Sequence, residues 1–135
     1  MPRFYVDFAL SPDSVVKLPD DVVRHLNVLR VKNTEEIVLF NGNGKVYPAL
    51  PEVLEKRHAS VRILREEATD NESPLNITLV QAVSAAERMD FTLQKSVELG
   101  VAEIRPVISE RCVVRLSGER AEKRVARWQE IVVSA

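Results

Sequence analysis

The 135 residues include only one cysteine, two histidines and four glycines. The lone Cys112 excludes an internal disulfide and fits a reducing compartment, so a cytoplasmic location is expected. His25 and His58 with a single thiol do not make a zinc site of the usual spacing, and no metal is expected. No apolar stretch approaches the roughly twenty residues that cross a bilayer. The opening MPRFYVDFAL lacks the layout of a signal peptide, and no membrane partner is expected. An excess of charge is missing too: the formal net charge is -1 and the pI near 6.2. The chain is therefore not a uniformly basic nucleic-acid binder, and any RNA contact must rest on a local patch. Repeats and low-complexity segments are also lacking. What is present is a folding composition, 45% hydrophobic and 29% charged.

The polar, acidic run Glu66–Pro74 is the best domain boundary, giving domains 1–72 and 73–135. Their formal charges are -2 and +1, so neither is a basic module as a whole. In the first, Arg3–Phe8, Val15–Leu18, Glu36–Phe40, Lys45–Leu50 and Ala59–Arg65 read as short strands. Pro48 pushes its strand towards an edge or a bulge. Asn41-Gly42-Asn43-Gly44 is a hairpin turn; it lacks the Lys-Ser/Thr and the following helix of a phosphate loop. Asp20–Leu29 reads as a helix opened by Pro19, with Val22, Val23, Leu26 and Leu29 on its apolar face. Several short strands with one helix suggest a small, mostly antiparallel barrel.

The stretch from Asn76 to Cys112 organises the second domain as strand, helix, strand. Asn76–Val83 fills with apolar residues, as a strand buried on both faces does. Asp90 is a candidate helix N-cap, Met89, Leu93 and Val97 share one face, and Gly100 stands where a left-handed residue ends the helix. Glu103–Ser109 is the next strand. About twenty residues between the strands suit a crossover joining parallel neighbours. Ligands of open α/β sheets sit beyond the carboxyl ends of the strands. There the chain places Glu87-Arg88 and Glu110-Arg111, beside the free N–H groups of the helix start, an arrangement that suits an anion such as phosphate. The alternative is that each Arg pairs with a neighbouring Glu. Beyond Ser117-Gly118, a second helix carries Ala121, Val125, Trp128 and Val132 on one stripe. It has no terminating Gly or Pro, and two strands with two helices do not cover a sheet, so the chain is expected to stop inside a domain. Cys112 is read as a small buried apolar residue.

The runs HLNVLRVK (His25–Lys32), EIVLFNGNG, ERMDFTLQKSVELGVAEIRPVISERCVVRL and RWQEIVVSA resemble the 16S ribosomal RNA uridine-N3 methyltransferase family, RsmE. The resemblance covers the chain in order, and the block Glu87–Arg115 is its most specific part. It implies an α+β and α/β chain: an amino-terminal PUA-like β-barrel for RNA recognition, then the first βαβα part of a SPOUT methyltransferase domain, incomplete. S-adenosylmethionine would be the cofactor. Its binding residues are expected beyond Ala135, because the trefoil knot and its glycine-rich loop have no counterpart here. By itself the chain is then expected to be inactive. The implied partners are 16S rRNA, or the small ribosomal subunit, and a second copy in a homodimer. Arg111 and Glu110 are the catalytic candidates on this resemblance. Arg3, Arg24, His25, Arg30, Lys32, Arg88 and Arg115 are the candidate RNA contacts. The competing reading is an RNA-binding adaptor that works without a cofactor.

Overall fold

The computed structural model describes residues 1–135, which form two compact units, Met1–Asp70 and Asn71–Ala135. In the first, alternating apolar residues build a six-stranded mixed sheet. Its strands are β1 (Arg3–Tyr5), β2 (Val15–Lys17), β3 (Ile37–Phe40), β4 (Lys45–Leu54), β5 (Ala59–Ile63) and β6 (Glu67–Ala68). They run in the order β1-β3-β4-β5-β2, with β6 against the start of β4. β1 and β3 are parallel; the other pairs are antiparallel. The outermost strands β1 and β2 do not pair, so hydrogen bonding does not close the expected barrel. The register aligns Phe4 with Leu39, Leu39 with Tyr47, and Ala49 with Ile63. These residues share an inner face with Ile37 and Val61, and all are buried. Helix α1 (Asp20–Leu29) adds Val22, Val23 and Leu26 to this core. Each such aliphatic side chain contributes about 1.5–3 kcal/mol when fully buried.

Three local expectations change here. Pro48 lies on the central strand β4, not at an edge. Its strand pairs with β5 from Ala49 onward and with β6 at Lys45 and Val46, so Pro48 falls at the change of partner, where its carbonyl accepts from the Leu64 N–H at 2.9 Å and its nitrogen gives no bond in return. The irregularity of β4 comes later, between Pro51 and Val53. Leu29 is 48% exposed, because α1 ends at Arg30 and turns away from the sheet.

The second unit comprises β7 (Thr78–Ala82), α2 (Ala86–Glu98), β8 (Glu103–Val107) and α3 (Gly118–Ser134). β7 and β8 are parallel, in register from Thr78–Glu103 to Ala82–Val107. Met89 and Leu93, on one face of α2, are 0% and 2% exposed and pack with Val83, Trp128, Ile104 and Ile131. Gly100, at φ +85°, supplies the left-handed step that ends α2. The Trp128 indole N–H is buried without an acceptor, a cost of about 1–3 kcal/mol.

β7 is not buried on both faces. Val80 and Val107, on the side away from Ile104, are 62% and 39% exposed. Strand alternation commits only every second residue to the helices, and nothing in the unit covers the other row. Asp90 does not cap α2, which starts at Ala86 with no side-chain cap. Instead its carboxylate accepts two hydrogen bonds from Arg127 of α3, at 3.1 and 2.6 Å. On α3, Trp128 is buried as the stripe predicts, but Val125 is 53% exposed and Ile131 packs in its place.

Candidate functional site

The parallel register decides where the paired Glu-Arg segments emerge. β7 and β8 point the same way, so the start of α2 and the turn after β8 both lie at the carboxyl end of the pair. Arg88 stands exposed in the first turn of α2. No side chain caps that helix start, which leaves its first N–H groups free to meet an anion.

After β8 the chain closes a tight turn: the Cys112 N–H donates to the Ser109 carbonyl at 3.2 Å. Glu110 and Arg111 occupy its two corners, so their side chains leave the turn rather than meet each other. Arg111 is exposed, and neither it nor Arg88 forms an ion pair. The alternative in which each Arg is spent on a neighbouring Glu is therefore not what the structure shows. Arg115, by contrast, donates back to the Glu110 carbonyl and straps the turn.

Cys112 is half-buried and polar in its contacts, not the apolar filler expected. Its Sγ lies 3.2 Å from both the backbone N and the hydroxyl of Ser109. The Ser109 hydroxyl first, then its N–H and the nearby Arg115 charge, hold the thiol below its ordinary pKa. The sequence hid this because a turn's donors cannot be read from residue type alone.

Two cavities belong to this unit. One, of about 650 Å³, runs between α2 and α3 along Glu87, Asp90, Phe91, Arg127, Glu130 and Ile131. The other, of about 330 Å³, lies between the Glu72–Asn76 segment and Gly100–Ala102, at the amino ends of the strands.

In the first unit the basic candidates fall into different environments. The Arg3 guanidinium sits 5.7 Å over the Phe40 ring. His25, though exposed, meets Phe4 edge to face at 5.3 Å. The Lys32 backbone N–H donates to the Glu35 carboxylate. Arg24 and Arg30 are exposed and unpaired, one turn either side of Asn27. The Asn27 amide donates to the Lys56 carbonyl at 3.0 Å and so brings the β4–β5 turn alongside. Lys56 and Arg57, the corners of that turn, were not singled out from the sequence. The signal available was a Lys-Arg-His run between two alternating segments.

Comparison with known proteins completes these observations. Residues 71–135 match a family described as an RNA methyltransferase domain, and residues 18–64 one described as an RNA methyltransferase PUA domain. The ribosomal RNA small subunit methyltransferase E of Buchnera aphidicola (subsp. Schizaphis graminum) is 33% identical over 100% of this chain and 55% of its own length. That of Mycobacterium tuberculosis is 29% identical over 98% of the chain and 50% of its own. Among solved structures, the ribosomal RNA small subunit methyltransferase E from Neisseria gonorrhoeae, bound to S-adenosyl methionine, is 66% identical with a TM-score of 0.94. It matches 99% of this chain and 55% of that one. A methyltransferase of Legionella pneumophila, in complex with the cofactor SAM, is 38% identical with a TM-score of 0.92, over 98% of this chain and 55% of that one. The chain thus spans about half the length of the relatives it matches.

Proposed function

The chain belongs to the ribosomal RNA small subunit methyltransferase E family, and on that premise we propose that it serves methylation of a uridine N3 in 16S rRNA. Residues 1–72 are the PUA-like RNA-recognition domain, and 73–135 form the first βαβα part of a SPOUT methyltransferase domain. The partners are 16S rRNA in the cytoplasm and a second copy of the protein. The reaction breaks the S–CH3 bond of S-adenosylmethionine, forms an N3–CH3 bond and releases the N3 proton. S-adenosylmethionine supplies the methyl group when bound. The residues present do not complete a site for it: the groove between α2 and α3 is open and reaches the rim only at Glu87 and Asp90, and the cavity by Gly100–Ala102 lies at the amino ends of the strands.

What these residues contribute is charge at the rim. Uridine N3 loses its proton well above neutral pH, so the reaction needs a base or a stabilised uracil anion. Arg111, exposed and unspent, holds the uracil carbonyl oxygens or the adjoining phosphate. Arg88, beside the uncapped helix start, holds backbone phosphate. Glu110, at the neighbouring corner, orients Arg111 or accepts the proton. Arg115 supports this turn through the Glu110 carbonyl. Arg3, Arg24, His25, Arg30 and Lys32 make the recognition contacts. The observation that supports the reading best is the parallel register, which brings both Glu-Arg segments to one edge.

A chimera tests it, with these residues replacing the matching part of the Neisseria gonorrhoeae relative. It methylates small-subunit RNA, and mass spectrometry finds the methyl on uridine N3. Arg111→Ala in the chimera lowers kcat by about 100-fold. A chimera that folds but transfers nothing would sink the reading; full activity of its Arg111→Ala form would remove the role of Arg111. The 135-residue chain alone gives no calorimetric binding of S-adenosylmethionine, and micromolar binding would mean that the cofactor is held here after all.

A further inference from the structure

The cations of the first unit divide into two sets. Lys45 pairs with Glu66, Arg62 with Glu52, and Arg65 with Glu36 and Glu67. Arg3, Lys17, Arg24, Arg30, Lys32, Lys56 and Arg57 pair with no carboxylate, and all are exposed. Four of these, Arg24, Arg30, Lys56 and Arg57, are gathered around one contact. Arg24, Asn27 and Arg30 succeed each other at three-residue intervals along one flank of α1 and its end. From the middle of that flank, the Asn27 amide grips the Lys56 carbonyl.

The backbone shows what the sequence gives up for this arrangement. The Glu55 N–H donates to the His58 carbonyl at 2.8 Å, which makes Lys56 and Arg57 the corner residues of the hairpin. Neither corner has a positive φ, so cations stand there without backbone strain. Arg30 ends α1 at φ +54°, with the Val31 N–H reaching back to the Leu26 carbonyl. This is the helix-end position that glycine fills most often, and a side chain with a Cβ there costs about 1 kcal/mol. At Arg30 the chain bears this strain for a guanidinium that pairs with no carboxylate.

We propose that Arg24 and Arg30 of α1 and Lys56-Arg57 of the β4–β5 turn form one track for the phosphodiester backbone of a single RNA strand, held in shape by Asn27. The inference rests on the RNA reading of this unit and adds the turn and its anchor to it. The contacts position the strand without reading bases. Each cation that meets a phosphate releases condensed counterions, so the track is visible as salt dependence.

The test uses the intact chain, a labelled single-stranded RNA oligonucleotide and fluorescence anisotropy over a salt series, with each variant's fold checked by circular dichroism. Neutralising the turn, Lys56→Gln with Arg57→Gln, flattens the slope of log affinity against log salt by about 1.4. The control pair Lys45→Gln with Arg62→Gln, which removes ion-paired cations, leaves the slope as it was. Asn27→Ala keeps every charge and weakens binding by about threefold or more. An unchanged slope in the turn variant, or an equal loss in the control, overturns the track, and full affinity in Asn27→Ala overturns its anchor. In those cases RNA recognition by the unit stands; absence of RNA binding by the unaltered chain overturns both.

Discussion

Cys112 shows how much a few donors change a residue. As a letter in the sequence it reads as a small apolar side chain; in the fold its sulfur faces a hydroxyl and an N–H of Ser109. Because those donors favour the thiolate, its folded-state pKa is depressed. Its contribution to stability is present above the unfolded thiol's pKa and fades as pH falls through the folded value. The alkylation rate of Cys112 by iodoacetamide therefore rises at lower pH than that of a free thiol, and Ser109→Ala moves the profile back up. A profile identical in both forms would remove Ser109 as the cause. The shared edge of Arg88 and Arg111 was legible because Glu-Arg repeats after each strand. The position of Lys56 and Arg57 beside α1 was not, because it depends on Asn27, far away in sequence and near only in space.

Elements were legible where period and punctuation agreed. The Asp20–Leu29 helix, the Asn-Gly hairpin and the paired strands around Gly100 follow from spacing and turn chemistry. Misreadings came where a partner decides. Asp90 has the chemistry of a cap, but α2 starts earlier and the carboxylate is taken by Arg127. Pro48 reads as an edge residue, but it stands within a central strand, where one neighbour gives way to another. A Cβ on Gly100 would meet nothing nearer than 3.7 Å, so Gly100→Ala is penalised by its backbone alone. Urea unfolding should show a loss of about 1–2 kcal/mol; a neutral variant would contradict the left-handed assignment.

At the level of the molecule, the two halves differ in what holds them. The core of Met1–Asp70 draws on a sheet and a helix, while the buried core of Asn71–Ala135 is Val83, Met89, Leu93 and Trp128. Met89→Ala should cost about 2–5 kcal/mol, read from Trp128, the single tryptophan, whose emission reports this core. An unaltered transition would mean that Met89 does not carry the packing described. The sequence indicated two domains through an acidic stretch. It could not indicate an uncovered row on β7, since apolar residues are written alike whether or not something lies over them. The parallel pairing of β7 and β8 carries a consequence for synthesis. The antiparallel strands β3, β4 and β5 can join as soon as each leaves the ribosome. β7 has no mate until α2 and β8 have followed it, a wait on the order of seconds at usual elongation speeds. During that interval Leu79 and Val83, which the fold later covers, lie open to water.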